Sequence, residues 1–217
     1  QSLGPGSMVS IFGPNMPPST ASVSSLPVPT TLGGASVTIG GAAAPIYFAS
    51  AGQINAQVPY SVAPGSQPVI VKVGSTSSPA VNVTVTATSP GIFTVAQNGR
   101  GPGAIQNYVD ATHQPLNSFA GAIAPGRLLI VSGPGGGVLT NGPTGVGAAC
   151  SGQSFSATPV TASVGGRAAT VQFAGCPNPF VGLDQYNIVV PTGTPDGCYI
   201  PVNITVGAVT SNTVTIA

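Results

Sequence analysis

The fold is indicated by a stretch that occurs twice in the chain, GPGSMVSIFGP at residues 4–14 and APGRLLIVSGP at residues 124–134. Three later blocks recur in the same order, residues 40–49 with 165–174, 53–59 with 185–191, and 69–85 with 202–217. Four matched blocks in one order are hard to obtain by chance. The sequence therefore predicts two copies of one fold in tandem.

Apolar and small polar residues alternate within each copy with a period of two. The alternation runs through residues 36–39 and 81–85 in the first copy, and through 202–206 and 213–216 in the second. It places apolar side chains on one face of a strand and polar side chains on the other. Short alternating strands separated by turns are typical of an antiparallel sandwich. We expect an all-β fold of two tandem immunoglobulin-like β-sandwiches, with about seven strands in each and essentially no helix.

The repeats also suggest how the chain is divided. We expect a first sandwich over residues 1–88, a connector over residues 89–123, and a second sandwich over residues 124–217. The second sandwich carries an insertion at residues 135–155 that the first lacks. The connector contains several apolar residues, which predict that it packs against one or both sandwiches: Ile92, Phe93, Ile105, Tyr108, Val109 and Phe119.

The chain is almost free of charge. Its 217 residues include four Lys or Arg, three Asp or Glu and one His, for a net charge of +1. Charged residues make up 3%, against about 25% in an ordinary globular domain. Nucleic acids and anionic membranes bind clustered Lys and Arg, so neither is expected as a partner. No apolar stretch approaches the ~18 residues that suggest a membrane span.

Few residues are suited to catalysis or metal binding. Asp110 and His113 could suggest a hydrolase, but the chain has no Gly-x-Ser-x-Gly motif. Asp184 and Asp196 lack the additional carboxylates of a calcium loop. The three cysteines and His113 lack the close ligand pairs of a zinc site. We therefore expect no enzyme, no catalytic residue, no metal and no cofactor.

Cysteine usage indicates an extracellular protein. Three cysteines in a chain with one lysine and no glutamate suit an oxidising compartment better than the cytosol. Residue 1 follows no basic or hydrophobic leader, so we expect either a secreted, mature chain without its signal peptide, at an extracellular or cell-surface location, or a fragment.

Five segments resemble the Solibacter-type uncharacterised C-terminal domain: residues 5–13, 52–59, 89–94, 180–187 and 206–212. The resemblance covers nearly the whole chain in order. It implies paired IPT/TIG-type immunoglobulin-like modules at the ends of secreted bacterial proteins, with no catalytic residues to carry over. Members often have another β-like stretch before the Pro-Gly-Ser turn, whereas here only residues 1–4 precede it. We therefore expect the first module to lack a strand of its own.

An immunoglobulin-like topology also bears on the cysteines. In two such copies the end of the third strand lies beside the start of the sixth, which makes Cys176–Cys198 the first choice for a disulfide. Cys150 lies in the insertion near the same end of the sandwich, so Cys150–Cys176 remains the alternative. We expect the third cysteine to be a buried thiol, with an intermolecular link as the other outcome.

Paired amides recur in the two copies. Gln53 and Asn55 in the first correspond to Gln185 and Asn187 in the second, and each pair alternates along a strand. Side chains at alternate positions share one face of the strand, where amides can satisfy backbone groups of an adjoining loop. We expect these four amides to be structural.

An uncharged coat predicts self-association. Charged side chains normally keep soluble proteins apart and protect strand edges from pairing, and Lys72 is the only lysine. We expect a non-enzymatic structural subunit of an extracellular filament or surface assembly, a homopolymer built through contacts between strand edges. The alternative is a C-terminal adhesive or carbohydrate-binding immunoglobulin-like module of a larger secreted protein, with surface glycans as partners.

Overall fold

The computed structural model describes residues 2–143, 145–152 and 154–217. These residues form twenty strands and no helix, which confirms the all-β class. The first ten strands are β1 Met8–Phe12, β2 Ala21–Ser22, β3 Thr31–Leu32, β4 Ala35–Ile39, β5 Ala42–Ala43, β6 Ile46–Ala49, β7 Gln53–Gln57, β8 Gly65–Val73, β9 Thr76–Ser77 and β10 Val81–Val85. The second ten are β11 Gln106–Asn107, β12 Leu128–Gly133, β13 Leu139–Thr140, β14 Ser154–Ser156, β15 Val160–Val164, β16 Arg167–Cys176, β17 Asp184–Val189, β18 Ile200–Val206, β19 Val209–Thr210 and β20 Val214–Ile216.

The first sandwich consists of two antiparallel sheets. One has the strand order β1-β7-β6-β2, and the other has the order β10-β8-β4-β3, with β5 beside β4 and β9 beside β8. Burial alternates along β4, where Ala35, Val37 and Ile39 are buried and the residues between them are half-buried. The inward faces of both sheets form one apolar core, as the period of two predicts.

The second sandwich is formed by a sheet that folds over on itself. β16 pairs with β17 through residues 170–175 and with β15 through residues 167–169, so it passes from one layer to the other. One layer has the order β11-β12-β17-β16, and the other continues through β15 and β18 to β19 and β20. Ile188, Ile204 and Val164 are among the fully buried residues between the layers. The two halves are thus tandem immunoglobulin-like sandwiches.

The repeated sequence blocks occupy equivalent strands. β1 corresponds to β12, β7 to β17, β8 to β18 and β10 to β20. The pairing register agrees, because Val9 lies opposite Ala56 in the first sandwich and Leu129 lies opposite Ile188 in the second. Each half has ten strands where about seven were expected, and the excess comes from the two-residue strands β2, β3, β5, β9, β11, β13 and β19.

Two stretches of backbone meet closely where the chain passes from one sandwich to the other. Ser89 N donates to Gly135 O at 2.9 Å, and Gly91 N donates to Pro134 O at 2.9 Å. A Cβ atom on Gly133 or Gly135 would overlap the carbonyl oxygen of Gly91 or Ser89. Glycine is required at both positions because no side chain fits between the two backbones.

Further hydrogen bonds join the first sandwich to the insertion and to the β16–β17 loop. Tyr47 Oη donates to Val181 O at 2.9 Å. Val28 N donates to Gly147 O at 2.8 Å. These two bonds hold the first sandwich against the second, and the backbone contact at Gly135 holds the start of the connector beside them.

Candidate functional site

An open groove runs along one side of the first sandwich. It lies between β1, the edge strand of one sheet, and strands β8 and β10 of the other, and has a volume of about 930 Å³. Its walls are mainly apolar, with the side chains of Leu3, Val9, Ile11, Val69, Val71 and Val81, and polar residues also line it: Ser10, Asn15, Thr76, Ser77 and Ser78. The two sheets therefore do not close over the core on this side.

β1 forms one wall of the groove and carries a free edge. In an antiparallel pair, alternate residues direct their backbone N–H and C=O groups to opposite sides. Ser7 O accepts from Val58 N, so odd-numbered residues of β1 bond toward β7. Met8, Ser10 and Phe12 consequently direct their N–H and C=O groups outward. In the part of the chain that the structure describes, β7 is the only strand paired with β1.

In the second sandwich, residues 101–107 of the connector close the equivalent groove. β11 pairs with the outer edge of β12, with Gln106 opposite Ile130. On the other sheet, Gly103 N donates to Thr215 O at 2.9 Å. Between these contacts the side chain of Ile105 is fully buried in the core. The connector thus adds a strand and an aliphatic side chain that the described part of the first sandwich does not have.

Burial at equivalent positions shows the effect of this added strand. Val81 in the first sandwich is 63% exposed, whereas its counterpart Val214 is 0% exposed. Val9 is half-buried, and its counterpart Leu129 is completely buried. The side chain of Ile105 fills this position of the core in the second sandwich. The same position is open in the first sandwich and forms the groove.

A set of amide hydrogen bonds holds the connector in place. Asn117 Nδ2 donates to Asn107 Oδ1 at 2.9 Å and to Ala217 O at 3.0 Å. Ala217 N donates to Asn117 Oδ1 at 2.8 Å. Both asparagines are buried, so their bonded amides fix the added strand and the end of β20 to each other.

The structure corrects the expected disulfide. Cys150 is bonded to Cys176, with a Cα–Cα distance of 6.1 Å, and Cys198 is an exposed free cysteine. The physical reason is β14, whose Ser154 pairs with Cys176 and so brings the insertion against the end of β16. The first-choice Cys176–Cys198 pairing and the expectation of a buried third thiol are wrong, and the alternative partner Cys150 forms the bond.

The four repeated amides bond to each other along their strands. Gln53 Nε2 donates to Asn55 Oδ1 at 2.6 Å, and Gln185 Nε2 donates to Asn187 Oδ1 at 2.8 Å. Ser10 Oγ also donates to Asn55 Oδ1, which links β1 to β7. These bonds join side chains rather than reaching a loop backbone. A structural role for the amides stays a prediction.

Asp110 and His113 lie in an exposed loop of the connector. Asp110 Oδ1 accepts from Thr112 N, Thr112 Oγ1 and His113 N. The side-chain bond from Thr112 and then its backbone bond lower the pKa of Asp110. The carboxylate therefore closes a turn. Among the described residues no group of three His, Cys, Asp or Glu side chains is placed to hold a metal ion, and there is no helix that could cross a membrane.

Asp184 is a buried acid beside the contact between the two sandwiches. Its Oδ2 accepts from Gly136 N at 2.7 Å, next to the backbone contact at Gly135. Burial raises the pKa of Asp184 from 3.8 to about 7, although backbone hydrogen bonds from Gly136 and Gly135 oppose that rise. The carboxyl group is thus expected to titrate near neutral pH.

This shift predicts that the protein loses stability as the pH rises. Between the unfolded pKa of 3.8 and the folded pKa of about 7, the folded chain binds more protons than the unfolded chain. The contribution of Asp184 to the free energy of unfolding is fully present below the unfolded pKa. It decreases as the pH rises toward 7, by up to about 4 kcal/mol in total. The urea midpoint of the wild type should therefore fall as the pH rises over this range. Asp184→Asn keeps an acceptor for Gly136 N and removes the charge, so its urea midpoint should not change with pH. Asp196→Asn at an exposed position is the control, and an equally steep profile in Asp184→Asn would contradict the assignment.

Comparison with known proteins supports the IPT/TIG-like character of the first sandwich. Residues 1–87 match the IPT/TIG domain family, whereas the narrower Solibacter-type resemblance is not confirmed. A solved structure of the S-layer protein SbsC, domains 5-6, is similar over 99% of this chain and 90% of that chain, at 14% identity and a TM-score of 0.25. A likeness this weak carries no argument about function. None of the curated proteins compared with the chain matches it.

Two features of the site were missed from the sequence. The first is the role of Ile105, which lies in a stretch without strand periodicity. The second is the groove itself, which is recognised only when the exposure of Val81 is compared with that of Val214. A signal was present in the repeat, because the block at residues 124–134 follows a connector that contains apolar residues.

Proposed function

We propose that this chain is a non-enzymatic structural subunit that assembles with copies of itself outside the cell, as a filament or surface layer. The free edge of β1 beside the open groove is the observation that supports the proposal most. An unpaired edge next to exposed apolar side chains favours pairing with a strand from another chain. The Cys150–Cys176 disulfide is consistent with an oxidising, extracellular location.

The residues around this edge lack the features that usually prevent pairing. Natural edge strands are commonly protected by Lys, Pro or a bulge. The outward positions of β1 are Met8, Ser10 and Phe12, and Phe12 is 70% exposed. Lys72, the single lysine, lies on β8 instead. Since charged residues are 3% of the chain, long-range repulsion between copies is weak.

Ser10→Pro tests the proposal at the edge itself. Proline removes the outward N–H of residue 10 and leaves the β1–β7 hydrogen bonds, which the odd-numbered residues make. We expect the wild-type chain to form concentration-dependent polymers in sedimentation velocity that persist in 1 M salt, where charge interactions are screened over about 3 Å. For Ser10→Pro, the concentration at which polymers form should rise by at least about tenfold.

Ser10→Ala is the matched control, because it alters the same side chain and keeps the N–H group. It should assemble like the wild type. Assembly that is equal in Ser10→Pro and Ser10→Ala would show that the β1 edge is not the contact. A wild-type chain that stays monomeric at every concentration would contradict the proposed function as a whole.

A glycan-binding role is a second candidate, and one feature favours it. Phe119 and Tyr199 are exposed by 63% and 71%, and their ring centroids lie 5.8 Å apart. Exposed aromatic rings can stack on sugar faces. Tyr47, Tyr60 and Tyr186 lie at half-buried or buried positions and do not add to this pair. Specific hits on a glycan array that disappear with Tyr199→Ala would support this role, and an absence of hits would remove it.

A further inference from the structure

We propose that the groove of the first sandwich binds an uncharged, extended peptide segment as an added strand, with an aliphatic side chain inserted between the two sheets. The segment would have the chemistry of residues 101–107. The inference rests on the proposed function and specifies the contact through which that function operates.

The chain itself provides the template for this mode of binding. In the second sandwich, residues 101–107 pair with the outer edge of β12 and also with β20. The equivalents of Ile130 and Thr215 in the first sandwich are Ser10 and Asn82. The incoming strand is therefore expected to pair antiparallel beside Ser10 and to donate a backbone N–H to Asn82 O, as Gly103 N does to Thr215 O.

The apolar lining of the groove selects the side chain that enters it. Ile105 belongs to the core cluster that also contains Leu129, Val131 and Val214. The corresponding wall of the first groove is formed by Val9, Ile11 and Val81. No charged side chain lines the groove among the described residues, so a charged group entering it would lose its hydration without gaining a partner. The occupant is therefore aliphatic at this position.

The residue two positions before the aliphatic residue of the bound segment should be small. A Cβ atom on Gly103 would come within 2.9 Å of both the Ile105 side chain and the Val214 side chain. Val81 occupies the place of Val214 in the first sandwich, so the same restriction applies there. The recognised pattern is a glycine followed two residues later by Ile, Leu or Val.

The free main chain of β1 favours a peptide over a small apolar ligand. Sites for small molecules usually have a few convergent polar groups in a concave pocket. Here the polar groups are the outward N–H and C=O groups of Met8, Ser10 and Phe12, which repeat at the spacing of a strand. Only another extended backbone can pair with several of them at once.

A synthetic peptide tests the binding mode directly. The probe is a fluorescently labelled peptide of residues 101–109, GPGAIQNYV, added to the full chain at concentrations where sedimentation shows monomer. We expect saturable binding by fluorescence anisotropy. Ile105→Asp in the peptide and Val81→Asp in the protein should each weaken binding by at least about tenfold. Val81 is 63% exposed, so its replacement should leave the fold intact, which circular dichroism verifies.

Cross-linking tests the register. In a Cys198→Ser background, Val81→Cys should form a disulfide with a peptide carrying Ile105→Cys. Thr84→Cys, on the outward face of β10, is the matched control and should not. Absence of binding, binding unaffected by Val81→Asp, or equal cross-linking at positions 81 and 84 would each overturn the inference.

The outcomes separate this inference from the proposed function. Peptide binding by a chain that never self-associates would support the groove and contradict the homopolymer. Self-assembly that is lost in Ser10→Pro but unchanged in Val81→Asp, with no peptide binding, would support the homopolymer and contradict the groove.

Discussion

Ile105→Ala should destabilise the second sandwich by about 2–5 kcal/mol, the usual cost of emptying a buried aliphatic site. The side chain of Ile105 is fully buried and belongs to the same core cluster as Leu129 and Val214. Its removal leaves a cavity between the two layers and weakens the packing of the connector that closes this side of the second sandwich. Urea unfolding followed by circular dichroism measures the loss.

Val81→Ala is the matched comparison in the first sandwich. Val81 is at the equivalent groove but is 63% exposed, so we expect a change within about 0.5 kcal/mol for the isolated chain. The contrast between the two variants distinguishes a filled groove from an open one. A cost below about 1 kcal/mol for Ile105→Ala would mean that the connector does not contribute to the core as described.

Loss of the Cys150–Cys176 disulfide is the second large effect. The cysteines are 26 residues apart in sequence, and closing a loop of this size stabilises a protein by about 3 kcal/mol. The bond lies in a small apolar cluster with Leu139, against which Tyr60 of the first sandwich packs. Cys150→Ala with Cys176→Ala should therefore lower the unfolding free energy by about 3 kcal/mol and also loosen the contact between the sandwiches.

Cys198→Ser is the control for that experiment. Cys198 is exposed and forms no disulfide, so its replacement should leave the unfolding free energy unchanged within about 0.5 kcal/mol. Mass spectrometry of the alkylated, non-reduced chain should find the label on Cys198 alone. A label on Cys150 together with a large cost for Cys198→Ser would contradict the pairing.

The repeated blocks were sufficient to predict the fold. Residues that alternate in polarity along β4 and β18 do so because one face is buried, and this relation can be read without coordinates. The two-residue strands could not be predicted in the same way, because two residues do not define a period. β14 is the important case among the short strands. Its three residues decide which cysteine meets Cys176, and no sequence pattern marks that pairing.

The candidate site was less accessible to sequence reasoning than the fold. Low charge predicted self-association in general but did not identify a surface. The groove depends on whether a strand is added beside β1 or β12, which is a long-range contact. Ile105 resembles any other apolar residue of a Gly- and Pro-rich stretch until its place in the same core cluster as Val214 is known. The low charge suggested the function that we propose, and the comparison between the two copies located the groove.

Electron microscopy of the concentrated wild-type chain, with the subunit contact resolved, tests the central claim most directly. We predict ordered polymers in which an extended segment of a neighbouring chain lies along Met8–Phe12 and fills the groove next to Val81. Monodisperse single molecules, or polymers in which the outer edge of β1 faces solvent, would contradict it.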